Sequence, residues 1–168
     1  CVEYDRYIFL AAQKDSELEN PGLEDLYSVG TIGRIQKMIK LPDGRIKALV
    51  QGLAKAKVLE CVKKKPFFKV DIEILKDADP LELNIEDEAL MRNVKEASEK
   101  LLALKGELSG DVGDLLSHIE SPGKLADLVA SNINLKVEDA QILLEIMDGT
   151  ERLKKVNDLL ARELDLST

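Results

Sequence analysis

The stretch from Tyr27 to Gln51, YSVGTIGRIQKMIKLPDGRIKALVQ, decides the fold. Its apolar residues come in short runs, and Pro42-Asp43-Gly44 interrupts them with a turn in which glycine supplies a positive φ cheaply. The pattern predicts a long strand from Tyr27 to Leu41 that returns as a partner strand from Arg45 to Gln51. Gly30 and Gly33 fall inside the first strand, where glycine marks a bulge or a sharp bend. A small curled sheet needs such bends. No Gly-Lys-Ser/Thr follows them, so they do not make a phosphate-binding loop.

The same grammar extends on both sides. Tyr7 to Gln13 (YIFLAAQ) reads as a buried strand, followed by a polar loop through Asn20, Pro21 and Gly22. Lys57 to Lys64 and Phe67 to Leu75 read as two more strands. In the last, Val70, Ile72 and Ile74 take one face and Asp71 and Glu73 the other. From Pro80 onward the period becomes helical. Asn84 is placed to cap a helix reaching about Leu104, with Leu90, Val94, Ala97, Leu101 and Leu104 on one stripe. Asp111 would cap a short helix ending at His118, and Ser121-Pro122 opens a third. A fourth covers Val137 to Met147, and Thr150 would cap the last, running toward Leu164. The chain is therefore expected to be α+β: a small antiparallel β-barrel or curled sheet over residues 1–78, followed by an all-α helical bundle over residues 79–168.

Composition limits what such a chain can do. Its 168 residues are 45% hydrophobic and 33% charged, the balance of a folded protein. The 24 Lys and Arg against 32 Asp and Glu give −8. Residues 1–80 hold 14 basic and 13 acidic side chains (+1), whereas residues 81–168 hold 10 and 19 (−9). Such a balance argues against a general nucleic-acid binder. No run approaches the ~20 apolar residues of a membrane span. Cys1 and Cys61 lack the spacing of a zinc site or a disulfide framework, although one bridge between them stays open; a reducing, cytoplasmic setting is the preferred reading.

The remaining reactive groups have structural explanations beside chemical ones. Ser121-Pro122-Gly123-Lys124 fits the Ser-x-x-Lys spacing of serine acylating enzymes, yet Ser121 is also the expected N-cap of its helix. His118 closes a short helix, where a positive side chain complements the helix dipole. Glu86, Asp87 and Glu88 occupy a first turn, where acidic residues do the same. No catalytic, metal-binding or cofactor-binding residue is therefore assigned. Lys63, Lys64 and Lys65 precede Phe67 and Phe68, which cannot both face the core of an ideal strand. Either one ring is buried and the lysines solvated, or a ring lines a peptide-binding groove. Met38 and Ile39 pose the same alternation problem. Met38, Ile39, Phe67 and Phe68 are the candidate substrate-binding residues.

The segment from Tyr7 to Val58 resembles the amino-terminal domain of the Lon family of ATP-dependent serine proteases. The matching stretches are IFLAAQK (Ile8–Lys14), NPGLEDLYSVGTIGRI (Asn20–Ile35), LPDGRIKALVQGL (Leu41–Leu53) and AKAKV (Ala54–Val58). The helical half is similar through SPGKLADLVASNINL (Ser121–Leu135) and ERLKKVNDLLARELDL (Glu151–Leu166). Two departures stand out. The family's opening strand has no counterpart, because the chain begins with Cys1-Val2-Glu3 inside the family's first helix. Gln51-Gly52-Leu53-Ala54-Lys55 also replaces the usual Glu-Gly-x-x-Arg.

The resemblance implies a PUA-like β-barrel with its first strand missing, followed by a helical bundle. It further implies a noncatalytic module that helps select unfolded or damaged protein substrates and supports assembly of a cytoplasmic homohexamer. ATP and Mg would serve an ATPase module outside this chain, so the chain itself should hydrolyse neither ATP nor peptides. The alternative is a stand-alone PUA-like adaptor, or a ligand- or RNA-binding protein. The acidic helical lobe suggests a preference for basic or neutral clients, and membrane or nucleic-acid partners are not expected.

Overall fold

The structure, a computed structural model, describes residues 6–168. Among these, the strands precede the α-helices, with one 3-10 turn (Leu23–Asp25) between the first two strands: β1 (Tyr7–Leu10), β2 (Val29–Lys40), β3 (Ile46–Lys63) and β4 (Lys69–Leu75), then α1 (Ile85–Lys105), α2 (Gly110–His118), α3 (Pro122–Asn132), α4 (Val137–Glu145) and α5 (Gly149–Ser167). The chain divides into two units between Lys76 and Asp77. Asp77 and Ala78, placed in the β lobe by the sequence pattern, thus belong to the helical unit. Cys1, Val2 and Glu3 lie outside the described residues.

In the first unit the strands follow the order β1-β2-β3-β4, each antiparallel to the next. The sheet curls, with β1 and β4 as its outer strands. The two expected strands Arg45–Gln51 and Lys57–Lys64 are one continuous strand, β3. Gly52 and Ala54, which read as a break, pair with Gly33 and Ile32 of β2, and Leu53 bulges out between them. A bulge bends a strand without ending it. Two further bulges, at Leu59 and Val62, bend β3 along β4. Gly30 sits where β1 crosses closest: a Cβ there would lie 2.1 Å from the Leu10 carbonyl oxygen and 2.8 Å from the Phe9 ring. β1 is shorter than expected, because past Leu10 only an isolated Gln13–Leu26 bridge continues it. The buried apolar core of this unit is thin, comprising Val29, Ile35 and Ala56.

The helical unit carries the larger core. Met91, Val94, Leu101 and Leu102 of α1 meet Leu125, Ala126 and Val129 of α3 and Leu153, Val156, Leu159 and Leu160 of α5, with Leu116 and Leu143 added from α2 and α4. Asn84 caps α1 in a reciprocal box with Asp87, whose backbone N–H donates to Asn84 Oδ1 at 2.8 Å. Two caps lie upstream of their expected positions. Ser109, rather than Asp111, accepts from Val112 N at α2, and Asp148, rather than Thr150, accepts from Glu151 N at α5. In both cases a glycine that reads as a helix breaker is taken into the first turn.

One buried charge fastens the start of this unit to its end. Arg152 on α5 has 0% exposure. Its guanidinium donates to both carboxylate oxygens of Asp77 (2.7 and 3.0 Å) and to Asp127 at 3.3 Å, while Nε reaches the Ile146 carbonyl at 2.9 Å. Burial works against the charged guanidinium, but the bond to Asp77 and the charges of Asp127, Asp77 and Asp79 prevail, and the pKa is raised. Beside it, Ala78 exchanges backbone bonds with Met147 and Gly149. Asp79 accepts from the Ser121 hydroxyl and, at 3.0 Å, from Gly123 N. The approach is so close that a Cβ on Gly149 would lie 1.9 Å from Asp79 Oδ1 and 2.8 Å from Gly123 N.

Removing Arg152 strands polar groups and leaves a void, so Arg152→Met should destabilise the chain by about 3 kcal/mol in urea titrations. Lys105→Ala, which breaks the peripheral 2.9 Å pair with Glu163, should cost less than about 1 kcal/mol. Gly149→Ala should cost roughly 1–3 kcal/mol by overpacking; an unchanged urea midpoint would refute the close-approach reading.

Candidate functional site

The expected binding residues are all exposed, but they do not gather in one place. Met38 and Ile39 lie on the distal part of the β2–β3 hairpin, opposite Ala48 and Lys47. Phe67 and Phe68 lie in the turn after Lys63, at the other end of β3, with 50% and 41% of their surface exposed. On the order of 50 Å of strand contour separates Ala48 from Lys63 at ~3.3 Å per residue. Neither phenylalanine is buried, so the reading with one buried ring does not hold: both precede β4 and escape its alternation.

Past Ile35 and Val50 the hairpin stands as a two-stranded ribbon. Apart from the half-buried Leu41, every residue from Gln36 to Leu49 is exposed. Gly44 turns the ribbon at φ 88°, and Asp43 holds the turn by accepting from Arg45 N at 3.1 Å and pairing with its side chain. Directly opposed residues share a face. Lys37 and Leu49 therefore lie on one face with Ile39 and Lys47, and Met38 and Ala48 lie on the other with Lys40 and Ile46. Ile46 and Leu49 are 61% and 64% exposed. Sequence alternation missed them because it assumes one dry face, and this ribbon has none.

Charge was averaged away in the same manner. Residues 34–69 hold eleven Lys and Arg against Asp43 and Glu60, a net +9. The lobe-wide sum hides this because Asp15, Glu17, Glu19, Glu24 and Asp25 cluster in the preceding loop. A shorter counting window would have revealed it. Leu53, Leu59 and Val62, each the extra residue of a bulge, are also exposed.

The reactive residues fall into structural roles. Ser121 Oγ accepts from Lys124 N at 3.3 Å, capping α3, and its hydroxyl proton goes to Asp79. His118 Nδ1–H donates to the Asp114 carbonyl at 2.6 Å within its own helix. An open groove of about 740 Å³ in the helical unit is lined by Ser121 together with Asp79, Leu83, Met91, Arg92 and Lys95, without Lys124 or His118. Gln51, at the altered family position, accepts from Gln36 Nε2 at 2.7 Å. Cys61 is a free thiol, and Cys1 lies outside the described residues. Among the described residues no cluster of His, Cys, Asp and Glu could hold a metal ion, and no helix is long and apolar enough to cross a membrane.

Residues 1–162 match the family model described as the ATP-dependent protease La (LON) substrate-binding domain. The chain is 53% identical over 163 residues to the Lon protease of Desulfatibacillum aliphaticivorans, covering 97% of this chain and 20% of that protein. It is 49% identical to the Lon protease of Geobacter metallireducens, with 99% and 20% covered. The chain thus spans about a fifth of the length of these relatives. Among solved structures, the N terminal domain of Mycobacterium avium complex Lon protease shares the fold with a TM-score of 0.67 at 22% identity, over 94% of this chain and 90% of that one. The Lon N-terminal domain protein from Xanthomonas campestris follows with 0.56 at 17%, over 92% and 88%. A curled antiparallel sheet followed by five helices is the fold these domains share. The chain belongs to the family of Lon substrate-binding domains.

Proposed function

We propose that this chain is the noncatalytic substrate-binding module of a cytoplasmic, homohexameric Lon-type serine protease, and that it holds unfolded or damaged proteins for an ATP- and Mg-dependent engine located elsewhere in the polypeptide. The observation that carries the reading is the open sheet of the β unit. It displays aliphatic and aromatic side chains, Met38, Ile39, Phe67 and Phe68 among them, in a chain whose family is defined by substrate binding. Shallow apolar contacts and unpaired strand edges suit extended polypeptide of loosely defined sequence. Each contact is weak, and repetition around a ring raises the effective concentration of sites. The relatives, Lon proteases matched over about a fifth of their length, favour a module over a stand-alone adaptor. The Ser121 hydroxyl engages Asp79 rather than Lys124, which favours capping over nucleophilic chemistry.

An array of apolar peptides probed with the chain should show capture at micromolar concentration, and uniformly blank spots would overturn the proposal. The Phe67→Ser/Phe68→Ser variant should weaken capture several-fold while leaving the urea midpoint unchanged, because both rings are exposed. An acylating serine probe should leave Ser121 unlabelled; labelling abolished by Ser121→Ala would restore the enzymatic reading.

A further inference from the structure

Resting on the substrate-binding reading and sharpening it, we propose that the outer edge of β3 from Ile46 to Leu53 docks an extended client segment that is both apolar and acidic. β4 covers β3 only from Lys55 to Lys63, so among the described residues the backbone from Ile46 to Ala54 has no strand on its outer side. That edge presents Ile46, Leu49 and Leu53, all exposed. Lys47 lies along it, and Lys37 and Lys40 stand directly across from Leu49 and Ile46. None of these three lysines has an ion-pair partner among the described residues.

An added strand would satisfy the idle main-chain groups, lay apolar side chains beside Ile46 and Leu49, and bring its carboxylates to the lysines. The occupant is a peptide rather than nucleic acid, because residues 36–53 contain no aromatic ring on which a base could stack. It is not the same edge of a second copy, which would bring the lysines of both copies to one seam, with no carboxylate from residues 46–53 to balance them. The acidic preference reverses the expectation drawn from the helical unit's −9. The helices offer no open strand, so the sheet's charge decides.

The test uses fluorescence anisotropy on the whole chain with three labelled peptides sharing one apolar core, flanked by Glu, Ser or Lys. The Glu-flanked peptide should bind at least about tenfold tighter than the Lys-flanked one at low salt, with the gap shrinking as salt screens the lysines. Lys37→Glu/Lys47→Glu should invert the order, and N-methylation of alternate peptide amides should abolish the binding. Equal binding of the three peptides, or an order untouched by charge reversal, overturns the inference and leaves the substrate-binding reading standing. Failure to bind any of the three overturns both. Tighter binding of a single-stranded oligonucleotide that displaces the Glu-flanked peptide assigns the edge to nucleic acid instead. A dimer that the charge-reversed variant dissolves assigns it to a second copy.

Discussion

The helical unit depends on where one guanidinium is placed. Arg152 is fully buried on α5, yet its partners come from elements far apart in sequence: Asp77 at the start of the unit, Asp127 on α3 and the Ile146 carbonyl before α5. A buried ion pair is weak evidence for stability as such, because desolvation opposes attraction. What it supplies here is register. The planar fork of arginine matches both oxygens of Asp77, so the segment Asp77–Asp79 can dock in only one way. Asp79 then reaches Ser121 and Gly123, which fixes the start of α3, and the absence of a side chain at Gly149 allows α5 to begin against the same carboxylate.

The β unit is built on the opposite balance. With only Val29, Ile35 and Ala56 buried among its described apolar residues, it relies on backbone pairing along an 18-residue strand more than on a core. Bulges at Leu53, Leu59 and Val62 bend that strand and turn apolar side chains outward. A sheet that spends aliphatic surface in this way forgoes hydrophobic stabilisation and keeps contact area available for something else.

Much of the fold was legible in the sequence, because turns and periods are local. Pro42-Asp43-Gly44, the α1 stripe as far as Leu101 (Leu104 is 51% exposed, and Leu102 is buried instead) and the Ser121-Pro122 start of α3 carry their signals within a few residues. Features that depend on distant partners were not legible. Arg152 looks like one more solvated charge in ERLKKVNDLLARELDL until Asp77 is brought against it. Gly52 reads as the end of a strand until Gly33 lies opposite. The candidate site was half visible. Met38, Ile39, Phe67 and Phe68 betrayed themselves by breaking alternation, whereas Ile46 and Leu49, on opposite faces of the ribbon, were read as ordinary strand residues although the ribbon has no inside.

The lysines of the ribbon have a second consequence, at high protein concentration. An uncovered strand edge is a template on which further copies can grow into fibrils, and natural sheets guard such edges with charge. Lys37, Lys40 and Lys47 let the molecule keep an adhesive border without adhering to itself. Self-avoidance, and with it colloidal behaviour, is therefore written into the same few ammonium groups that frame the opening.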